Sequence, residues 1–338
     1  MKLLSVVIPS YNSAAYMSHC IDTLLPGGDE MEILVVDDGS KDETLAIARA
    51  YEEKHPGIVR AIHQENAGHG GAVTTGIRNA TGCYFKVVDS DDWVDSDSLL
   101  RILKLLRSFV ETNAGVDMLV SNYVYDKVGV KNKKVMRYTS ALKQNEILRW
   151  EQVGRMPLGV YMLMHSVIYR TELLQEHHIE LPTHCFYVDN LYIFEPMQYV
   201  KKLYYVNEDF YHYFIGRDDQ SVHESVMMKR IDQQLRVNRL MVDKVRLEKV
   251  EPAEVREYMY HYLEIITMVS TLLLLKINTP EAEEKRRSLW SDIEEKDPWL
   301  YRRLRKGLMG HVAFLPGKLG RWVALTIYTI TQRIYGFN

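Results

Sequence analysis

Within the first 115 residues, apolar runs with strand character alternate with helical stretches, and this alternation fixes the kind of sheet the chain can build. Leu3–Ile8, Glu32–Asp37, Val59–Gln64 and Tyr84–Asp89 read as strands. Between and after them, Ala14–Leu25, a stretch ending near His55, Gly71–Asn79 and a stretch ending near Glu111 read as helices. Ser40 and Glu43 have the spacing of a capping box and are expected to open the second helix, and Ser96 is expected to cap the fourth. Strands and helices alternating at this spacing imply a largely parallel sheet covered on both faces. In such a sheet, ligands bind beyond the carboxyl ends of the strands.

The fourth run ends in Asp89-Ser90-Asp91-Asp92, three carboxylates within four residues. Crowded like charges repel one another and raise their pKa values. A hard divalent cation, Mg²⁺ or Mn²⁺, removes that repulsion, and carboxylate oxygens are the ligands it prefers. A solvated acidic turn ahead of the next helix is the competing reading.

Past residue 115 the pattern changes. Met118–Tyr125 and Leu203–Val206 look like strands, and aromatic residues are dense from Phe186 to Phe214. The stretches 226–248 and 253–277 read as long helices, and the uncharged Ile265–Leu275 within the second reads as buried, being too short to span a bilayer. After Asp297 there is no acidic residue, while seven arginines and lysines stand among apolar and aromatic residues such as Trp322 and Tyr328. That tail suits either a helix lying in a membrane interface or one docked on the protein with a solvated basic face. Segments are therefore expected at 1–115, 116–223, 224–300 and 301–338. A net charge of −3 and a pI near 6.5 argue against a nucleic-acid partner. Three scattered cysteines, Cys20, Cys83 and Cys185, fit a reducing compartment, and no secretion signal is expected ahead of the first strand.

Four strand-ending loops stand in order: Pro9-Ser10-Tyr11-Asn12, Asp37-Asp38-Gly39-Ser40, Asn66-Ala67-Gly68-His69-Gly70-Gly71 and Asp89-Ser90-Asp91-Asp92. This arrangement resembles the family 2 glycosyltransferases, inverting enzymes of the GT-A fold, most specifically over residues 3–95. The resemblance implies an α/β domain of GT-A type with a mostly parallel central sheet, then a mixed acceptor region and a helical C-terminal extension. It assigns Pro9, Tyr11 and Asp38 to the base of a nucleotide-sugar donor, with uracil favoured. It assigns Asp89 to the ribose or metal side and Asp91 to the metal, Mn²⁺ or Mg²⁺. Tyr11 as core packing and Asp37 and Asp38 as turn formers remain the plainer alternatives.

Gly68 and Gly70 would let backbone approach the donor, and His69 with nearby helix-terminal N–H groups would favour its diphosphate. The family's base lies in a Glu-Asp pair opening a helix. Phe186-Tyr187-Val188-Asp189-Asn190 matches it with Val188 in place of Glu, which makes Asp189 the candidate base or, alternatively, a cap for the helix from Leu191. Gly216-Arg217-Asp218-Asp219-Gln220-Ser221 resembles a segment that folds over the donor, with Arg217 on the diphosphate. The Gln-x-x-Arg-Trp signature of processive synthases is absent from the sequence. The expected activity is metal-dependent, inverting, one-sugar transfer to a glycan or lipid-linked acceptor, on the cytoplasmic side of a membrane that the tail could contact peripherally. A nucleotidyltransferase of similar fold and an inactive nucleotide-binding scaffold are the competing classes.

Overall fold

The structure is a computed structural model that describes residues 1–127, 129, 133–157, 159–216, 224–315 and 317–335. The chain forms two compact units, Met1–Gly216 and Arg217–Asn338.

The first unit is built on one ten-stranded sheet. Its parallel half comprises β1 (Leu4–Ser10), β2 (Met31–Asp38), β3 (Val59–Gln64) and β4 (Tyr84–Val87), in the spatial order β3-β2-β1-β4. Every residue of β1 and of β2 is buried. Their near-continuous Val, Ile and Leu content is what a strand covered on both faces requires. The helices α1 (Met17–Leu24), α2 (Thr44–Lys54) and α3 (Gly68–Asn79) are the crossovers between these strands.

Beyond β4 the sheet becomes mixed. The short β5 (Trp93–Val94) leads into α4 (Ser96–Glu111), then β6 (Met118–Lys127), β7 (Lys134–Met136), β8 (Ile147–Leu148) and β9 (Val167–Arg170). The short helices α5 (Thr171–Glu176) and α6 (Asp189–Met197) precede β10 (Leu203–Ile215). β9 lies antiparallel between β4 and β6, and β10 runs parallel to β6. The pairing of β10 with β6 is irregular on either side of Asp209.

Three local expectations fail. Ser40 does not open α2, which begins at Thr44. The Ser40 hydroxyl instead accepts from the Asn12 N–H at 3.0 Å, and Asp42 takes the Thr44 N–H at 3.0 Å. Nor does Ser96 cap α4: the Asp95 carboxylate accepts from the Ser98 N–H at 2.8 Å. In both places an aspartate outcompetes the serine for helix-terminal donors. Lastly, β10 continues to Ile215, nine residues past the expected end at Val206.

The second unit is helical: α7 (Glu224–Lys229), α8 (Ile231–Lys244), α9 (Ala253–Ile277), α10 (Pro280–Lys296), α11 (Pro298–Lys306), α12 (Leu308–Ala313) and α13 (Gly317–Tyr335). The single helix expected over 226–248 is broken at Arg230 and stops at Lys244. Asn278, in the left-handed region at φ +56°, ends α9. Thr279 and Asp297 cap α10 and α11, each with proline at the first helical position, where its missing N–H costs nothing. By length and composition α9 could cross a membrane, yet 56% of its apolar window is buried within the protein. It packs against α8, α10, α12 and α13. Its buried Thr267 and Thr271 accept from Asn238 and from the Trp290 indole, each at 3.0 Å, as polar groups inside a core must.

Candidate active site

Hydrogen bonds lock together the loops that follow β1, β2 and β4. Asn12, at φ +51°, accepts from the Lys41 N–H at 2.9 Å while its own N–H donates to Ser40. The Ser13 hydroxyl lies 2.8 Å from that of Ser90, and the Ser13 N–H donates to Thr44 at 2.7 Å. Pro9 is buried in β1, whereas Tyr11, just past its end, is 48% exposed.

The two aspartates ending β2 are buried, and each has its own work. Asp37 pairs with His63 Nδ1 at 2.6 Å. Asp38 accepts from Gln64 at 2.7 Å and from the Ala67 and Gly68 N–H groups, each at 2.8 Å. Asp38 thereby takes two of the N–H groups at the start of α3. Three bonds still leave one of a carboxylate's roughly four acceptor positions.

The glycines after β3 are closely approached by another part of this chain. Gly68 has φ +76°, and a Cβ there would lie 3.0 Å from the His184 nitrogen. At Gly70 a Cβ would lie 2.4 Å from the Pro182 carbonyl oxygen, closer than real contacts allow. The backbone that approaches these glycines is therefore this chain's own 182–184 segment. It is tied down by the His184 N–H donating to the Ala67 carbonyl at 2.8 Å. That segment leads directly to Asp189, so the glycines set where α6 begins. Asp189 lies in the first turn of α6, and Val188 rather than Asp189 is the cap residue.

The turn after β4 closes with the Asp92 N–H on the Asp89 carbonyl at 3.0 Å, leaving Ser90 and Asp91 at its apex. His69 Nε2 reaches Asp89 Oδ1 at 2.8 Å. Burial works against charge on both partners. Even so, His69 sits above its ordinary pKa because Asp89, Asp189 and Asp91 face it. Asp89 sits below its own because His69, His165 and Lys86 face it. Asp189 is raised, by burial first, with the attraction of His69 and the repulsion of Asp89 acting in opposite senses. The structure therefore brings His69, Asp89, Asp91 and Asp189 into one electrostatic neighbourhood. Arg217 lies outside the described residues.

Behind the acidic turn stands a buried layer the sequence reading missed. The Tyr211 hydroxyl donates to Asp92 Oδ2 at 2.5 Å and accepts from the Asp89 N–H at 3.2 Å. The Phe214 N–H donates to Asp92 Oδ1 at 2.8 Å. Burial, and repulsion from Asp89 and Asp91, push the Asp92 carboxyl well up. The ammonium of Lys86 donates to the carbonyls of Met164, His165 and Val167 and stands 4.7 Å from the centre of the Tyr211 ring. Burial lowers its pKa to about 7 despite Asp89 and Asp92. A lysine in the middle of an apolar strand was the legible signal for this layer. His165, held at a pKa of about 4 mainly by burial, carried none.

Among the described residues, the group able to share one metal ion is Asp89, Asp92 and His165, whose ligand atoms lie within 4.8 Å of one another. Asp91 is not in that group. His165 Nδ1 is buried with no hydrogen-bond partner. The oxygen-rich donor set suits a hard cation such as Mg²⁺ or Mn²⁺.

Residues 5–169 match the family model described as Glycosyl transferase family 2. This stretch of the chain belongs to that family. Glycosyltransferase GlyA of Streptococcus pneumoniae is 37% identical over 121 residues, which are 36% of this chain and 16% of GlyA. The chain spans 16%, 30% and 61% of the lengths of three curated glycosyltransferase relatives. S. aureus TarS 1–349, solved alone and with UDP-GlcNAc, has a TM-score of 0.69 at 19% identity, covering 99% of this chain and 91% of that one. Mannosyltransferase PcManGT of Pyrobaculum calidifontis, solved with GDP-Man and Mn²⁺, has a TM-score of 0.55 at 16% identity, covering 98% and 86%. The likeness to these two structures is one of fold. The fold of the first unit is thus of GT-A type.

Proposed function

We propose that this chain moves one sugar per binding event from a nucleotide-sugar donor, a UDP-sugar first, to a hydroxyl of a glycan or lipid-linked acceptor, with inversion. The observation that carries the reading is Asp189, raised in pKa and set by the Gly68–Gly70 contact beside His69 and the acidic turn. A raised pKa makes a carboxylate a stronger base. Asp189 takes the proton from the acceptor hydroxyl as that oxygen bonds to the anomeric carbon. The bond from that carbon to the diphosphate breaks on the opposite face, and the nucleoside diphosphate departs with the electron pair. TarS binding UDP-GlcNAc and PcManGT binding GDP-Man with Mn²⁺ support a donor of this class.

In this reading residues 1–115 hold the donor, 116–223 the acceptor, 224–300 form a helical extension and 301–338 a basic tail. Pro9 and the exposed Tyr11 form the seat of the base, and the remaining acceptor position of Asp38 faces it. Gly68, His69, Gly70 and Arg217 border the diphosphate, and Asp89 the ribose or metal. Asp89 and Asp91 would hold Mn²⁺ or Mg²⁺, with Asp92 and His165 behind them. A bound cation would supply charge neutralisation to the departing diphosphate. All three cysteines are free thiols, in keeping with work in a reducing, cytoplasmic compartment.

Thermal-shift titration with nucleotide sugars, with and without Mn²⁺, followed by assay of nucleoside diphosphate release, tests this reading. The expected result is stabilisation by a UDP-sugar that depends on Mn²⁺ in the parent and disappears in Asp91→Ala. A parent chain that no nucleotide sugar stabilises, with or without metal, overturns it.

A further inference from the structure

The last helix of the second unit turns its large apolar side chains outward. α13 packs on α9 and α12. Among its residues whose burial is described, the buried ones are Gly320 and Ala324, four residues apart and therefore on one face. On the opposite face, Leu319 is 73% and Trp322 63% exposed. A helix stabilised only by docking would do the reverse, burying leucine and tryptophan and exposing glycine and alanine. Trp290 shows that this unit can bury an aromatic ring: it is 4% exposed, and the half-buried Phe314 lies 4.7 Å from it with the Arg305 guanidinium 3.6 Å from the Phe314 ring. Single exposed apolar residues are ordinary, but a leucine and a tryptophan side by side on one helical face mark a contact surface.

The charge around this face selects the partner. From Pro298 to the end the sequence carries seven arginines and lysines and no carboxylate side chain. Arg302 and Lys306 are exposed, and Arg321 on α13 reaches the Asn278 side chain. A second copy of the chain would bring the same positive charge and be repelled. An anionic lipid surface offers both what the apolar face lacks and what the basic residues attract.

We propose that α13 lies in the interface of an anionic bilayer. Leu319 and Trp322 enter the acyl boundary, and the basic side chains of this region meet headgroup phosphates. Tryptophan is enriched at that depth because its ring is apolar and its N–H polar. At 1.5 Å per residue, 19 residues give a helix of roughly 28 Å lying along the surface. The face presented is that of a peripheral anchor.

The test is co-sedimentation of the full chain with vesicles of phosphatidylcholine alone, or of equal parts phosphatidylcholine and phosphatidylglycerol. Binding is expected only to the anionic vesicles, with release at high salt. The pair Leu319→Glu and Trp322→Glu is expected to weaken it at least tenfold without lowering the melting temperature. Full-length chain that stays in the supernatant overturns the proposal, as does the double variant binding like the parent. So does a dimer in sedimentation velocity that the double variant abolishes, since the face would then be a self-association surface. Should the double variant unfold, Trp322→Phe decides: it should still bind but lose the vesicle-induced blue shift of indole emission. An undiminished shift would place a different tryptophan at the lipid and overturn the proposal.

Discussion

At the scale of single residues, the acidic turn works because each carboxylate has a different environment. Asp89 is held ionised by His69, Asp92 is pushed toward its neutral form by burial, and Asp189 is raised by burial. Asp189→Asn keeps the shape but cannot take a proton at neutral pH. Turnover should fall by about 10²–10⁴ while donor affinity stays within about twofold, read by steady-state kinetics and calorimetry. In the parent, kcat should fall on the acid side at a pH above the ordinary carboxylate range, because the deprotonated form is the working one and its pKa is raised. Lys86 carries the second prediction. Its pKa falls from 10.5 to about 7 on folding. Between those values the unfolded chain binds more protons than the folded one, so stability rises with pH across that window. Lys86→Met should flatten that rise in denaturant melts compared at pH near 7 and near 9.5. An unchanged slope would mean that the lysine is not the group responsible.

At the scale of elements, the junction between the start of α3 and the 182–184 segment decides the geometry. Asp38 caps α3, and Gly68 and Gly70 let the segment pass close enough to place α6 and Asp189. Gly70→Ala puts a methyl group 2.4 Å from the Pro182 carbonyl oxygen, and backbone cannot yield as a flexible side chain can. A cost of about 1–3 kcal/mol is expected, as for other overpacked sites. Because the displaced segment carries Asp189, turnover should fall as well, beyond what the loss of folded protein explains. A stable Gly70→Ala variant with parental turnover would separate this junction from the site. The strands and crossovers of this half were legible because their periodicity is local: Val59–Gln64 has the bounds read from the sequence. The helix starts were not, since a serine and an aspartate compete for the same N–H groups and the winner depends on which neighbouring loop needs the other.

At the scale of the whole molecule, the chain is a sheet-based unit, whose residues 5–169 match the family 2 glycosyl transferase model, followed by a helical one. Under the proposed function, a UDP-sugar with Mn²⁺ should slow amide exchange in the four strand-end loops and at the start of α6. The helices from α8 to α12 should change little. Ligand at a hundredfold over its Kd adds about 2.7 kcal/mol to the state that binds it, enough for exchange mass spectrometry to resolve. Protection centred on the second unit would move the donor site away from the acidic turn. The sequence by itself determined the parallel half of the sheet, the order of its loops and the acidic turn, because strand pattern and crossover spacing are properties of short segments. It also marked the tail as basic and apolar. Only the tertiary structure decided that Asp38 caps a helix, that the glycines admit residues 182–184, and that Lys86, His165 and Tyr211 stand behind the acidic turn. It alone showed which face of α13 is outward. These facts depend on groups up to 122 residues apart meeting in space, as Asp89 and Tyr211 do, and no local pattern encodes such a meeting.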